Sequence, residues 1–338
     1  MFICIAIHEF SRFAQFSRSA AFQAGATSAG SSAQDPIDTV GDLAFLRPGT
    51  DALRSIATPP RSVARSTALV KAGIKSLVSR LKGKVLVVIG GTTGIGFSAA
   101  RAFVEAGARV VVVGRDPDNV TLAQKSLGAS ARAIAGDATH PKTAPKAIQA
   151  ARKAFGGFHG LYHVAGGSGR RKGDGPLHEL TDEGWDYTLN LNLTSMFHSN
   201  RAAVRQFLKQ GGGGTVLNMG SVLGWSPSPE YFATHGYATT KAAIVGLTKS
   251  AAAYYAKDSI RFNVLAPALV DTPMSERAQS DDAIMEFIRT KQPLDGGRIG
   301  QPGDLDSAAV YLMSDESRFV TGQVLAVDGG WCVSEGQY

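Results

Sequence analysis

The sequence predicts an α/β fold in which helices cover both faces of a doubly wound parallel β-sheet. Two observations predict it: strand-like runs alternate with helical stretches, and the connections are long enough to cross over the sheet. At 338 residues, of which 44% are apolar and 19% charged, the chain can bury a large core. No apolar run approaches the roughly 18 residues of a membrane helix, so we expect one globular domain plus an N-terminal extension and no membrane partner.

The alternation of elements begins near residue 81 and continues towards the C-terminus. Short runs rich in Val, Ile and Leu predict strands at 85–89, 109–113, 131–135, 160–164, 215–219, 261–266 and 323–327. Longer periodic stretches between them predict helices near 95–106, 118–127, 142–155, 183–209 and 237–257. Because strands joined by crossover helices run parallel, this order predicts a parallel sheet.

Residues 1–80 differ in composition from the rest and are predicted to be a largely irregular extension with one helix near 67–81. The first 34 residues contain two Arg, one acid and many Ser and Ala, a weak match to an organelle transit peptide. Disorder, or a start codon placed too early, explains the same composition. We expect a dispensable segment on a cytoplasmic protein.

The net charge of +7 does not indicate a nucleic-acid partner. Residues 1–80 hold nine basic and five acidic residues, which leaves a nearly balanced 26 and 23 for residues 81–338. The densest basic cluster there, Arg170, Arg171 and Lys172, lies on a glycine-rich loop without interleaved aromatic residues. These side chains either meet an anionic substrate or an acidic carrier protein, or form a solvated loop.

The two cysteines, Cys4 and Cys332, stand at opposite ends of the chain. They form neither a disulfide framework nor a metal site with ligand spacing, which favours a reducing compartment. His163 has no partner at suitable spacing for a metal either. We therefore expect no metal site.

A glycine-rich turn joins the first predicted strand to the first helix in VLVVIGGTTGIGFSAARAF, residues 85–103. Gly90, Gly94 and Gly96 lack side chains, so the turn can be tight and the backbone can approach a ligand. The free N–H groups and positive dipole end of the following helix favour a pyrophosphate. The turn therefore indicates a dinucleotide site, and a purely structural glycine turn is the alternative.

Tyr237 and Lys241 stand four residues apart in YATTKAAIVGLTKSAAAYYA and share one face of the predicted helix. A phenol with a pKa of about 10 exchanges protons reluctantly near neutral pH, and a nearby ammonium group stabilises the phenolate. The pair is typical of an acid–base site, although an exposed helix face carries the same residues by chance.

Taken together and in order, these motifs resemble the short-chain dehydrogenase/reductase family, from about Leu81 to Gly330. Ser221 in VLNMGSVLG matches the family's active-site serine, and Asn192 in WDYTLNLNLTSMF matches the asparagine that interrupts a long helix. The stretches IRFNVLAPALVDTPM and RIGQPGDLDSAAVYLMSDESRFVTGQVLAVDGGW resemble the sixth-strand loop and the C-terminal segment. The resemblance implies a single Rossmann-type catalytic domain over residues 81–338.

The resemblance also implies roles for four catalytic residues. Ser221 would hydrogen-bond the substrate carbonyl or hydroxyl, and Tyr237 would be the general acid in reduction and the base in oxidation. Lys241 would lower the pKa of Tyr237 and hold the nicotinamide ribose, while Asn192 would anchor a water that relays protons to Lys241. A cofactor-binding set follows from the same matches: Gly90, Thr92, Gly94, Ile95, Gly96, Arg115, Asp137, Ala165, Gly166, Tyr237, Lys241, Pro267, Val270 and Thr272.

The end of the second strand predicts which cofactor is preferred. In members of the family that prefer NAD, this strand tends to end in an acid that binds the ribose hydroxyls, but here Gly114 and Arg115 follow it. A guanidinium suits the 2′-phosphate, so we expect NADP(H) to be preferred and NAD(H) to remain usable. Asp116 is the competing carboxylate and is expected to start the next turn instead. Asp137 resembles the family residue that contacts adenine.

Several positions depart from the family pattern. Ile89 replaces a threonine before the glycines, His163 and Val164 replace two asparagines, and Ala268 replaces a glycine after Pro267. Sixteen positions separate the active-site serine from the tyrosine, more than is usual, so the intervening loop is expected to reshape the substrate site. Residues 270–295 resemble the family's substrate lid, and core packing explains their apolar side chains equally well.

These observations predict an NADP-dependent oxidoreductase that interconverts a ketone and a secondary alcohol, with 3-oxoacyl thioester reductases as the nearest family example. The alternative is a cofactor-binding but catalytically silent sensor or scaffold. The expected partners are a small carbonyl or alcohol substrate and further copies of the chain, as a homotetramer or a homodimer. An apolar stripe on two helices motivates that assembly: Leu193, Met196, Phe197, Ile244 and Leu247.

Overall fold

The computed structural model describes residues 79–336. Within them, seven strands form one parallel sheet in the order β3-β2-β1-β4-β5-β6-β7. The strands are β1 Val85–Ile89, β2 Arg109–Gly114, β3 Ala131–Ala135, β4 Gly160–His163, β5 Gly214–Met219, β6 Ile260–Pro267 and β7 Val324–Val327. The predicted doubly wound parallel sheet is therefore confirmed.

Crossover helices connect the strands. The α-helices are α1 Gly94–Glu105, α2 Pro117–Leu127, α3 Thr143–Phe155, α4 Asp182–Leu189, α5 Ser195–Gln210, α6 His235–Tyr255, α7 Glu276–Gln279, α8 Asp282–Lys291 and α9 Asp306–Met313. Among the described residues, no helix has both the length and the apolarity to cross a membrane.

The core lies in two layers, one on each face of the sheet. Because side chains alternate along a strand, Leu86 and Val88 of β1 pack on one face while Val85, Val87 and Ile89 pack on the other. Helices α1, α2 and α9 cover the first face, and α3, α5 and α6 cover the second. All five β1 side chains are buried, as a central parallel strand requires.

Two predicted helices differ from those observed. The stretch predicted as one helix over 183–209 consists of α4 and α5 joined by a π-helical turn at Asn190–Thr194, which contains the asparagine expected to interrupt it. The helix predicted near 67–81 lies outside the described residues except for its last three, which form a turn. Helices α7 to α9 were not predicted.

The strand order determines where a ligand can bind. The chain proceeds from β1 outward to β3 and then returns to β4 on the other side of β1, so the order reverses between β1 and β4. In open α/β sheets, ligands bind outside the carboxyl ends of the strands at this reversal point. The residues that follow β1 and β4 therefore define the expected site.

Candidate active site

The glycine turn after β1 adopts a conformation that requires its glycines. Gly90 has φ +85°, and a Cβ on it would lie 2.5 Å from the backbone nitrogen of Ala165, at the end of β4. A Cβ on Gly96 would overlap the carbonyl oxygen of Gly90, so α1 can begin this close to the strand only with glycine there. The side chain of Thr93 makes no capping hydrogen bond to α1. The first turn of α1 therefore presents backbone N–H groups for an anionic group, as a pyrophosphate requires.

The end of β2 carries no carboxylate, and Thr92 occupies the space that a side chain at Gly114 would take. A Cβ on Gly114 would overlap the side chain of Thr92, which packs against it. Arg115 is the next side chain, and it is exposed at the cleft. Asp116 caps α2 by accepting a hydrogen bond from the backbone N–H of Asn119 at 2.8 Å. The expectation that Asp116 starts the next turn is confirmed.

Asp137, after β3, faces the same end of the cleft as Arg115. Burial would raise the pKa of Asp137, but hydrogen bonds from the backbone and hydroxyl of Thr139, followed by the charge of Arg115, hold it below its usual value. Arg115 and Asp137 both line the cleft beyond the carboxyl ends of the paired strands β2 and β3. This is the region where a ribose and adenine would be held.

Helix α6 carries the Tyr-Lys pair, and its first turn is anchored by Asp174. The two carboxylate oxygens of Asp174 accept hydrogen bonds from the backbone N–H groups of Gly236 and Tyr237, each at 2.9 Å. Lys241 lies one turn further along and donates from Nζ to the carbonyl oxygen of Met219, at the end of β5, at 3.0 Å. Ser221 is on the same side of the sheet, just after β5.

Burial is the main influence on the protonation of both residues of the pair. Burial raises the pKa of Tyr237 to about 12, and only the nearby Ser221 hydroxyl opposes the rise. Nζ of Lys241 is 5.4 Å from the centre of the Tyr237 ring and is engaged by a carbonyl group. Burial also lowers the pKa of Lys241 to about 8. At neutral pH Tyr237 is therefore protonated and neutral, and Lys241 is protonated and positively charged in most molecules.

Asn192 lies behind the cleft and holds the loop that follows β4. Its Oδ1 accepts from the backbone N–H of Gly167 at 3.0 Å, and its Nδ2 donates to the carbonyl oxygens of Gly167 and Thr188, each at 3.0 Å. A Cβ on Gly166 would lie 2.6 Å from Oδ1 of Asn192 and 3.9 Å from Nζ of Lys241. The amide therefore fixes the backbone that borders the lysine.

His163, which replaces an asparagine of the family pattern, is a core histidine. It is fully buried, and its Nδ1 lies 2.9 Å from the hydroxyl of Ser199. Burial, assisted by the charge of Lys241, lowers the pKa of His163 to about 3, so the ring is neutral. Over residues 79–336, no three His, Cys, Asp or Glu side chains gather closely enough to hold a metal ion.

One cleft of about 880 Å³ runs along the carboxyl ends of the strands and brings most of the predicted residues together. Ser221, Tyr237 and Lys241 line it, as do all the predicted cofactor residues except Gly96. Asn192 does not line it either. Gly96 and Asn192 instead contact residues that do line it, Gly90 and Gly167 respectively. The volume of the cleft is within the range of ligand and cofactor sites. The glycine turn and cleft therefore fit a dinucleotide with its reactive end beside the tyrosine.

The part of the cleft beyond the tyrosine, which we call the substrate end, is formed by four segments. The residues that line it are Arg170 and Arg171 after β4, Leu223, Phe232 and Thr234 in the long loop before α6, Met274 to Ala278 around α7, and Trp331. The long loop expected to reshape the substrate site contributes Leu223, Phe232 and Thr234 to this part of the cleft. Both interpretations of 270–295 hold in part: Met274 lines the cleft, whereas Ile284 and Ile288 are buried in the core.

Sequence reasoning missed two residues of the site. Asp174 has no local signal, since its hydrogen-bond partners are 62 and 63 residues away. Trp331 is fully buried and donates from Nε1 to the carbonyl oxygen of Ser226 at 3.1 Å, which ties the C-terminal segment to the long loop. A tryptophan in an otherwise polar and glycine-rich C-terminal stretch was the one signal available for it.

The chain matches a family model described as enoyl-(acyl carrier protein) reductase over residues 90–332. The NADP-dependent (R)-specific alcohol dehydrogenase of Lentilactobacillus kefiri is 36% identical over 259 residues, which cover 75% of this chain and 99% of that enzyme. The 3-alpha-(or 20-beta)-hydroxysteroid dehydrogenase of Mycobacterium bovis is 36% identical over 251 residues, which cover 74% of this chain and 90% of that enzyme.

A solved structure agrees with these sequence matches. The short-chain type dehydrogenase/reductase from Mycobacterium ulcerans superposes with a TM-score of 0.69 at 30% sequence identity. The match covers 75% of this chain and 91% of that one. The similarity therefore extends over nearly the whole of the relatives, and the range matched by the family model, 90–332, spans the glycine turn, the serine and the Tyr-Lys pair.

Proposed function

We propose that this chain, which belongs to the short-chain dehydrogenase/reductase family of oxidoreductases acting on CH–OH groups, is an NADP(H)-dependent enzyme that interconverts ketones and secondary alcohols. The single observation that carries the proposal is that Ser221, Tyr237 and Lys241 line one cleft with the glycine turn. When bound there, the nicotinamide group would supply or accept the hydride, while the protein supplies orientation and protons. The 3-oxoacyl thioesters remain the nearest substrate class suggested by the resemblance.

The proton chemistry assigns reduction to the neutral form of the tyrosine. Tyr237 keeps its proton at neutral pH because burial raises its pKa to about 12, so it can donate that proton to a carbonyl oxygen. Ser221 would place the carbonyl oxygen by hydrogen bonding to it. The positive charge of Lys241 would stabilise the phenolate that remains, and Asn192 would keep the neighbouring loop in place for this exchange.

The preference for NADP(H) is supported by the end of β2. Gly114 supplies no carboxylate, Asp116 is engaged as a helix cap, and Arg115 is exposed at the cleft. A 2′-phosphate would meet a guanidinium there instead of a repelling charge. The relative from Lentilactobacillus kefiri is named as NADP-dependent, which points the same way.

The proposed activity is tested by NADPH consumption with a panel of ketones, comparing the wild-type protein with Tyr237→Phe. The variant keeps the ring but has no proton to donate, so kcat should fall at least about 100-fold while NADPH affinity is nearly unchanged. Tyr187→Phe is the matched control, because Tyr187 lies exposed on α4 and does not line the cleft. The proposal is wrong if Tyr237→Phe retains more than about a tenth of the wild-type kcat. NADPH binding by a wild-type protein that reduces no ketone would favour the silent sensor.

We also propose a homotetramer, or failing that a homodimer. Within the predicted apolar stripe, Met196 and Ile244 are fully buried in the subunit's own core and cannot reach a partner. Phe197 and Leu208 on α5 and Tyr254 on α6 are exposed and would supply the contact instead. Light scattering at micromolar concentration tests this assembly, and a monomer would contradict it.

A cytoplasmic location completes the proposal and rests on the two widely separated cysteines. Residues 1–34 fused to a fluorescent protein provide the test. Diffuse cytoplasmic fluorescence is expected, and import into an organelle would contradict the location.

A further inference from the structure

Resting on the proposed function, we propose that the substrate carries an anionic group, a carboxylate or a phosphate, on an apolar body, and that Arg170 and Arg277 bind that group at the substrate end of the cleft. The two arginines come from different parts of the fold, the loop after β4 and helix α7. Both line the same cleft. This specifies the substrate beyond a ketone or a secondary alcohol.

The charge at the substrate end is unbalanced. Three guanidinium groups line it, those of Arg170, Arg171 and Arg277, against one carboxylate, that of Glu276. Throughout the described part of the chain, none of the three forms an ion pair, whereas the neighbouring Lys172 lies 3.5 Å from the carboxylate of Glu183. The basic cluster is therefore divided, with one member neutralised at the surface and two facing the cleft.

Arg170 and Arg277 line one cleft, and the positive charge of Arg277 disfavours that of Arg170. The pKa of Arg170 is lowered, first by burial and then by the positive charge of Arg277, although Asp174 opposes the change. Both oxygens of Asp174 already accept hydrogen bonds from the first turn of α6. An anion between the two arginines would replace their repulsion by charge-assisted hydrogen bonds.

Arg277 is held in place by the protein. Its Nη2 donates to the carbonyl oxygen of Tyr231 at 3.2 Å, and its guanidinium carbon is 6.0 Å from the centre of the Phe232 ring. These contacts connect α7 with the long loop before α6. Arginine has five N–H donors, so this single hydrogen bond leaves donors for a ligand.

The rest of the substrate end is largely apolar. Phe232 and Trp331 pack edge to face with ring centres 5.9 Å apart, and Leu223 and Met274 line the cleft beside them. Thr234 is among the few polar side chains there. Such walls suit a hydrocarbon or an aromatic body. The two features together select a molecule with an apolar body and one charged end.

Arg170 and Arg277 are separate from Arg115, the residue that would meet the cofactor's 2′-phosphate. Arg115 follows β2 and interacts with Asp137 after β3, whereas Arg170 follows β4 and lies beyond the tyrosine. Neighbouring strands are about 4.8 Å apart, and two strand positions separate β2 from β4. The effect of a substitution at Arg170 or Arg277 can therefore be distinguished from the effect of a substitution at Arg115.

The test compares three ketones that share one body: 4-acetylbenzoate, 4-acetylphenyl phosphate and methyl 4-acetylbenzoate, which is neutral. The measured quantity is kcat/KM for each anion divided by kcat/KM for the ester, with NADPH as the reductant. We expect this ratio to exceed about tenfold for at least one anion, because a hydrogen bond to a charged group contributes about a factor of ten or more. The better anion identifies a carboxylate or a phosphate as the natural group.

Arg170→Gln and Arg277→Gln should each reduce that ratio at least about fivefold. Lys172→Gln is the matched control, since this residue belongs to the same turn but is paired with Glu183 and does not line the cleft, and it should leave the ratio unchanged. Circular dichroism melting of each variant confirms that it folds. A wild-type ratio of one or less, or equal losses in all three variants, would overturn the proposal.

A binding measurement separates this inference from the proposed function. If the wild-type protein reduces none of the ketones, titration calorimetry with 4-acetylbenzoate and its methyl ester still compares the two ligands directly. Tighter binding of the anion that is lost in Arg277→Gln would support an anion site even though the reductase proposal fails. Equal binding of both ligands would overturn the anion site whatever the enzyme's activity.

Discussion

Asp174→Asn should both destabilise the protein and slow it, because one buried carboxylate holds the first turn of the helix that carries Tyr237. Asp174 is 2% exposed and accepts from the N–H groups of Gly236 and Tyr237. In asparagine one oxygen becomes an NH₂ group that faces an N–H donor, so one charge-assisted bond is lost and a buried donor is left unpaired. The loss of that bond costs about 1.5–3 kcal/mol, and the weakened interaction with the helix dipole adds up to about 1 kcal/mol.

The free energy of unfolding should therefore fall by about 2–4 kcal/mol, which urea denaturation measures directly. The displaced first turn moves the phenol, so kcat should also fall at least about tenfold. Asp281→Asn is the control: Asp281 caps α8 through Ala283 and Ile284 at an exposed position, where asparagine caps equally well. That variant should change stability by less than about 0.5 kcal/mol. If Asp174→Asn unfolds like the wild type with unchanged kcat, the anchoring role is refuted.

Three further predictions concern other parts of the chain. Arg115→Ala should raise KM for NADPH about tenfold and leave KM for NADH unchanged, and a wild-type kcat/KM that is higher with NADH would contradict it. Asp306→Asn should stabilise the protein, because burial raises the pKa of Asp306 to about 6 and the ionised carboxylate therefore lowers the free energy of unfolding. This loss of stability is absent below the unfolded pKa of 3.8 and fully present above about pH 6. After discounting for partial exposure and the favourable helix dipole, the gain is about 1 kcal/mol at pH 7.5 and none at pH 3.5, measured by urea denaturation, and an equal gain at both pH values would refute it. Deleting residues 1–65 should leave specific activity within about twofold, because buried Leu81 and the Arg80–Glu316 ion pair anchor the start of the domain. Loss of soluble, active protein would show that the extension belongs to the fold.

Elements with a local sequence pattern could be predicted closely. Strand β1 was predicted at its observed bounds, since five consecutive apolar residues are followed by a pair of glycines that ends the strand. The Tyr-Lys pair was recognised because both residues belong to one helix. Strand β6 extends one residue further at each end than 261–266, since its ladder with β7 continues to Pro267. Boundaries of this kind depend on the neighbouring strand and not on the residues themselves.

Features that depend on distant partners could not be predicted. Helices α7, α8 and α9 have four, ten and eight residues, and helices this short are stabilised mainly by tertiary packing. The high pKa of Tyr237 is a consequence of burial, which the spacing of Tyr237 and Lys241 does not reveal. The division of the basic cluster was invisible as well, because Lys172 finds its partner Glu183 only after folding.

The packing of Thr92 on Gly114 limits how the cofactor preference can evolve. The direct route towards NAD would place an aspartate at position 114, but its Cβ would overlap the threonine side chain. The aspartate therefore requires Thr92 to move or to be replaced by a smaller residue. The two positions are coupled, because the effect of a substitution at 114 depends on the side chain at 92. Libraries aimed at NAD should therefore vary positions 92 and 114 together.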